Sequence, residues 1–431
     1  MGADAVGLLQ IIRSGQSTDW WTGAFYWFFR ITSIDGHYPV FTALVQLVIM
    51  CVSMVYFVYS LPFRKEVQNV TLLVFFSLPI YGFFAMSISH DLTQTAGIVL
   101  LVAIEIRRLR NIEEDRLLLI ILCASLLLIT THTGMIIFGL ALLRNFLFLK
   151  QWKTLLLSTI VLSVFFFSSV GLTRGLNVYG NFTNSSQVKY WSLLAGMKCA
   201  VQHEAADLSQ KDWSVLLKIA SRDNWIEPVS CQNYDYQINA LKLSERNYDF
   251  SNMEFLETYV SIARKNTAVM AMSHIQRARG VLPPLLFQPP GNQVSLDVDV
   301  PVGQGTNTAL QGGPVFLHPS IDIPGGEDFK PQLFEVLEIP AQGLGFIFNQ
   351  ASWFWGWGGL WLFAGMILLT NRINQKKIRT VVAVFYAPIA MHLLLIIFIP
   401  ASMPRYYFYS IVIGISITIA YFTFKIIERS K

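Results

Sequence analysis

The sequence predicts an all-α polytopic membrane protein of about nine spans that carries an extracytoplasmic domain of helices and loops. Three observations carry this reading. The chain of 431 residues is 53% hydrophobic and only 14% charged, with a mean hydropathy of +0.48, too apolar for a soluble protein of its length. Apolar stretches long enough, or nearly so, to cross about 30 Å of hydrocarbon as a helix recur along it. Lys and Arg fall almost entirely into alternate connections between those stretches.

The expected spans are 38–61, 70–88, 92–106, 117–131, 134–148, 154–172, 351–370, 380–399 and 406–424. On one side of them lie Arg64, Lys65, Arg107, Arg108, Arg110, Arg116, Arg144, Lys150, Lys153, Arg372, Lys376, Lys377, Arg379, Lys425, Arg429 and Lys431. The opposite short connections, 89–91, 131–133 and 400–405, hold Arg405 alone. Such a bias places the basic side in the cytoplasm and the C-terminus with it. It also divides 117–148 into two short spans hinged at 131–134, since one long helix would put Arg116 and Lys150 on opposite sides. The net charge of +5 is accounted for by loops that meet anionic lipid headgroups, so no nucleic-acid partner is expected.

Four regions follow: an outward first segment (1–37), a bundle of six spans (38–172), an extracytoplasmic domain (173–350) and a bundle of three spans (351–431). In the first segment, apolar residues recur at helical spacing over 5–12, and 20–29 is aromatic enough to rest in the membrane interface. That segment holds Asp4, Arg13, Asp19, Arg30 and Asp35, and 1–9 is too short for a signal peptide. Either a further span lies upstream of Met1, the favoured expectation, or the short tail is translocated with the first helix.

The extracytoplasmic domain changes character along its length. Helices are expected over 189–203, 209–221 and 253–277, with capping boxes at Ser209-x-x-Asp212 and Ser251-x-x-Glu254. From 283 to 331 come nine of the 17 prolines, interleaved with glycines, which excludes long helices. Cys51 and Cys123 lie in apolar spans. Cys199 and Cys231 lie outside, where oxidising conditions favour a disulfide; neither reads as having a zinc-spaced Cys or His beside it.

Ionisable residues gather at the outer ends of the spans. Asp35 and His37 precede the first span, His90 and Asp91 open the third, and Arg405 with Tyr406 begins the last. Taken singly, Asp91 reads as a helix cap, Asp35 as a turn residue before Gly36, and Arg405 as a headgroup anchor. Together on one plane they suggest a site. His132, at the outer hinge, reads as a buried structural histidine. Trp353, Trp355, Trp357 and Trp361 read as an interfacial belt.

This arrangement resembles the GT-C class of membrane glycosyltransferases, which take sugars from polyprenyl-phosphate donors. Gly2-Ala3-Asp4-Ala5 sits where that class carries a first-loop acid, Asp35-Gly36-His37-Tyr38-Pro39 resembles the stretch leading into its next span, and Ser89-His90-Asp91 resembles its second acidic motif. Pro404-Arg405-Tyr406-Tyr407 is similar to an Arg-Tyr pair at a late outer helix end. One departure stands out: the span that the class places before its first acid is absent from this sequence.

The resemblance implies an enzyme of the plasma (inner) membrane, with its site on the extracytoplasmic face, that transfers a sugar by inversion from a lipid-linked donor to a glycan, lipid or protein. Asp4 would be the base that takes the acceptor proton. Asp91 or Asp35 would orient the acceptor or hold a divalent cation, the one cofactor the class would admit. His37 and His90 would contact phosphate or sugar hydroxyls. Arg405, next to Tyr406, would hold the donor phosphate as charge develops on it. Two other readings stand beside it: a polysaccharide polymerase or ligase using lipid-linked oligosaccharide, and a transporter or structural membrane subunit. A transporter should show two related halves with broken spans, and no such halves are visible.

Overall fold

The computed structural model describes residues 22–78, 88–110, 117–131, 188–204, 208–229, 234–243, 252–278, 358–371 and 408–429, with single positions between them. Among the described residues the fold is all-α apart from one bridge, in which β1 (Ser17–Thr18) pairs in parallel with β2 (Phe182–Thr183). Among the described residues two helices, Pro39–Ser60 and Phe408–Arg429, are long and apolar enough to cross a membrane. The expected spans at 134–148 and 154–172, apart from single positions, and the span at 380–399, the Pro/Gly-rich stretch, His132 and the tryptophans at 353–357 lie outside the described residues.

Helix α1 (Gly23–Thr32) is started by Thr22, whose hydroxyl accepts from the Phe25 amide, one of the orphan donors of a helix start. It buries Phe25, Tyr26 and Phe29 against Leu9, Ile12, Ala43 and Ile88. Helix α1 is thus docked on the bundle through its aromatic face.

Helix α2 (Pro39–Ser60) begins with Pro at its first turn, where the missing N–H costs nothing. Its exposed residues are apolar, Val40, Phe41, Leu44, Val45, Val48 and Val52, while Thr42, Gln46, Ser53 and Ser60 are buried. This inverts the pattern of a helix in water and suits apolar surroundings. Helix α3 (Lys65–Phe76) repeats it, burying Gln68 and Thr71 and exposing Leu73 and Val74. It starts five residues before the expected span and ends at Phe76, with Pro79 shortly beyond. A proline disfavours helix in the residue before it, a stop signal that the apolar run of 70–88 concealed.

Helix α4 (His90–Leu109) is packed on several sides, and every described residue from Asp91 to Leu100 is buried. Its length would suffice to span, but Asp91, Glu105, Arg107 and Arg108 charge its ends. Helix α5 (Leu117–Leu128) lies antiparallel to α4; a Cβ placed on Gly97 would come within 2.8 Å of Leu128 Cγ and 3.0 Å of the Ala124 carbonyl. Helices α12 (Gly358–Thr370) and α13 (Phe408–Arg429) run in parallel, with Gly365 and Gly414 at their closest approach. Helix α13 also packs on α3 and α4, and one core joins α2 to α5 with α12 and α13.

One end of this bundle gathers basic residues. Arg110 donates to the Ser60 and Leu61 carbonyls at 2.9 Å each, closing the C-terminus of α2. The Phe63 and Phe424 rings meet at 6.1 Å. Arg64, Lys65, Arg110, Lys425 and Arg429 therefore belong to the end where α2, α4 and α13 finish.

A second body consists of α6 (Val188–Glu204), α7 (Gln210–Ile219), α8 (Arg222–Ile226), α9 (Tyr234–Leu241), α10 (Met253–Lys265) and α11 (Thr267–Ala278). Its core is built around α6 and the fully buried Trp225, whose indole donates to the Leu216 carbonyl at 2.8 Å. The Ser209–Asp212 capping box is present, and Asp212 also pairs with Lys265 at 3.0 Å, joining α7 to α10. The second expected helix start is shifted: Asn252, one residue beyond Ser251, caps α10. The helix expected over 253–277 is broken at Asn266 into α10 and α11.

Candidate active site at the end opposite the basic residues

At the end opposite the basic residues, four helices are joined by side-chain hydrogen bonds between polar groups that an apolar core would otherwise leave unsatisfied. Gln46, seven residues into α2, uses its whole amide. Its Nε2 donates to the Ser89 carbonyl at 2.6 Å and its Oε1 accepts from the Ser89 amide at 3.3 Å. Thr93 of α4 shares a hydroxyl hydrogen bond of 2.6 Å with Thr130, just past α5. Thr131 donates to Gln94 at 3.1 Å, and Thr22, ahead of α1, donates to the Thr130 carbonyl at 2.8 Å. Thr32 and Thr42 share another at 2.7 Å.

His90 and Asp91 stand within this layer. The Ser89 hydroxyl accepts from the Asp91 amide at 3.1 Å and donates to Asp91 Oδ2 at 3.2 Å, so Ser89 is the residue that caps α4. Asp91 instead occupies the first turn, where a carboxylate complements the helix dipole. It is 5% exposed, and its Oδ1 lies 3.4 Å from His90 Nε2. The rings of His90 and Phe25 of α1 meet edge to face at 5.5 Å, and His90 Nδ1 is buried with no hydrogen-bond partner among the described residues. A half-buried imidazole with one nitrogen beside a carboxylate and the other unbonded among the described residues can donate to, or accept from, an incoming oxygen.

Depth separates the two described acids. Helices α2 and α4 are parallel, since Gln46 meets Ser89 near their starts and Ser60 meets Arg110 near their ends. Seven residues of α2 lie above Gln46, so α4 opens about 10 Å below the start of α2. Asp35 lies above that start, in the turn 33–37, with φ of 54° and Gly36 at 82°. Its side chain is 62% exposed and accepts from Arg30 Nε at 2.5 Å; this hydrogen bond is the main cause that raises the Arg30 pKa above the ordinary guanidinium value. His37 is exposed in the same turn. Asp35 thus fills the role of a turn residue, with its side chain on Arg30.

The structure therefore brings His90, Asp91 and Phe25 of α1 together, with Asp35 and His37 one layer above. Asp4, Arg405 and Tyr406 lie outside the described residues. Sequence reasoning passed over Gln46, Thr93, Gln94, Thr130 and Thr131, whose signal was a polar side chain inside an apolar run. Among the described residues no third His, Cys, Asp or Glu donor joins His90 and Asp91, so the described residues do not make a divalent-cation site there.

The expected disulfide is present: Cys199 of α6 is bonded to Cys231, with a Cα–Cα distance of 5.4 Å. The surroundings correct one expectation. His203 lies four residues after Cys199, on the same face of α6, and its Nε2 is 3.7 Å from Cys231 Sγ. Compared with models of protein families, with curated proteins and with solved structures, the chain finds no match.

Proposed function

We propose that this protein is a polytopic membrane glycosyltransferase of the GT-C type, with its N-terminus and the α6–α11 domain outside, about nine spans, and a polyprenyl-phosphate sugar as donor. The observation that carries this reading is the pair of half-buried His90 and buried Asp91 at the head of α4, set about 10 Å below the start of α2 and closed on one side by Phe25 of α1. A carboxylate and an imidazole at that depth lie where a lipid-linked phosphate and a hydroxyl acceptor from outside would meet. Buried ionisable groups near a membrane surface carry a cost that function offsets.

In this reading Asp4 takes the proton of the acceptor hydroxyl, Asp91 holds His90 in orientation, and the open Nδ1 of His90 binds an oxygen of the acceptor or of the departing phosphate. Arg405 neutralises charge on that phosphate, and Tyr406 lines its entry. Asp35 and His37 form the outer rim on the acceptor side. The acceptor is an extracytoplasmic glycan, lipid or protein.

The test is transfer of labelled sugar from a short-chain polyprenyl-phosphate donor by the protein in lipid vesicles. Asp91→Asn should lose transfer while its thermal midpoint stays near that of the wild type, because the amide keeps the shape and the Ser89 contact. Transfer that survives Asp91→Asn and Asp4→Asn would sink the reading and leave the pair as part of the hydrogen-bonded layer that joins the helices.

A further inference from the structure

We propose that Cys199, Cys231 and His203 form a reducible metal site: opened by a dithiol, the pair of thiolates and the His203 imidazole take a soft or borderline divalent ion of the zinc class. The two sulfurs and one His203 ring nitrogen lie within 4.8 Å of one another. Tetrahedral zinc with sulfur ligands at about 2.3 Å and nitrogen at about 2.0 Å requires ligand atoms roughly 3.5 Å apart. The 3.7 Å between Cys231 Sγ and His203 Nε2 already meets that spacing; the two sulfurs must part, and Cys199 Sγ already stands within 4.8 Å of the imidazole.

The loop that delivers Cys231 is held to α6 independently of the disulfide. Lys198 Nζ, fully buried, donates to Gln202 Oε1 at 3.2 Å, to the Trp225 carbonyl at 3.0 Å and to the Glu227 carbonyl. Gln202 donates to the Val229 carbonyl at 2.8 Å and accepts from the Val229 amide at 3.2 Å. These ties flank the cysteine on its N-terminal side. Reduction therefore leaves Cys231 beside Cys199, and His203 keeps its place through the helix. Cys199 is buried, Cys231 half-buried and His203 exposed, so reductant and ion arrive from the Cys231 side.

The chemistry balances without a further reagent. A thiolate of the dithiol attacks Cys231 Sγ, the S–S bond breaks, and Cys199 leaves with the electron pair. The second thiol of the reductant then displaces Cys231, and the reductant departs as a cyclic disulfide. The ion displaces one proton from each thiol and binds neutral His203. Three protein ligands leave one position open to water. Disulfide and metal exclude each other because they use the same two sulfurs.

The experiment uses the full chain in detergent, with Cys51→Ser and Cys123→Ser to remove the other thiols. After reduction and removal of the reductant, Co2+ should give thiolate-to-cobalt charge-transfer absorption at one equivalent, and the oxidised protein should give none. His203→Ala should weaken Co2+ binding at least about tenfold, the lower end of what losing even an outer-shell partner costs. Added Zn2+ should displace cobalt and slow alkylation of both cysteines. Absence of the absorption in the reduced protein, whatever its helical content, overturns the proposal. So does binding that His203→Ala leaves unchanged.

Discussion

Gln46 shows how one residue can decide the level at which two helices meet. Its amide satisfies both the N–H and the C=O of Ser89, so the α4 start is fixed against the second turn of α2. Gln46→Leu would leave both groups without that partner, and each such loss costs about 1–3 kcal/mol. The variant should lower the thermal midpoint in detergent, while Val48→Leu, on the exposed apolar face, should leave it unchanged. Lys198 gives a second test. Burial lowers its pKa to about 8, against 10.5 for the free side chain. Between those values the unfolded chain still holds the proton that the folded one has released, so raising pH favours folding. The stability of wild type relative to Lys198→Met should therefore rise from about pH 8 and level off above about 10.5, by at most about 3 kcal/mol. A difference that falls over that interval would contradict the burial account. The basic, apolar and cysteine patterns around these residues were readable in advance. Their roles were not, because a buried lysine held by carbonyls of a loop 27 and 29 residues away has no local signature.

Helices differ in how plainly their limits were written. The start of α7 was legible because a capping box is a local device: Ser209 and Asp212 satisfy each other's backbone whatever the tertiary context. Ser209→Ala should cost about 1 kcal/mol, measured on the α6–α11 body by hydrogen exchange of its first-turn amides. The division of α10 from α11 at Asn266 was hidden, since apolar spacing continues across it and the residue leaves helical geometry only in the folded chain. The contact of α12 with α13 depends on glycine. A Cβ at Gly414 would lie 2.1 Å from the Trp361 backbone, so the helices could not approach with a larger residue there. Gly414→Leu should separate them and reduce folded yield from membranes, whereas Ser416→Ala should be close to neutral because that hydroxyl bonds within its own helix.

At the scale of the whole molecule, the parallel run of α2 and α4 and the basic residues at their common lower end agree with an outside-to-inside direction for both. Maleimide labelling of intact cells should reach Ser214→Cys of α7 and miss Glu66→Cys at the start of α3, in a background without Cys51 and Cys123. The reverse pattern would overturn the assignment of sides. Removing the disulfide through Cys199→Ser should destabilise the α6–α11 body by about 3 kcal/mol on the chain-entropy account of a loop of this length, without changing the side to which it is exposed.

What the sequence determined by itself was local or compositional. Helical periodicity, proline and capping signals depend on neighbours a few residues apart, the proposed sidedness rests on where lysines and arginines fall, and the disulfide was expected because Cys199 and Cys231 are the two cysteines outside the apolar stretches. The tertiary structure alone decided which polar side chains meet. Ser89 rather than Asp91 became the cap of α4, Asp35 turned to Arg30 one layer above Asp91, and His203 came to stand against Cys231. Each of these depends on the stagger of helices or the path of a loop between distant residues. Stagger is set by the sum of many small packing and hydrogen-bond terms across the whole interface, and no stretch of sequence contains that sum.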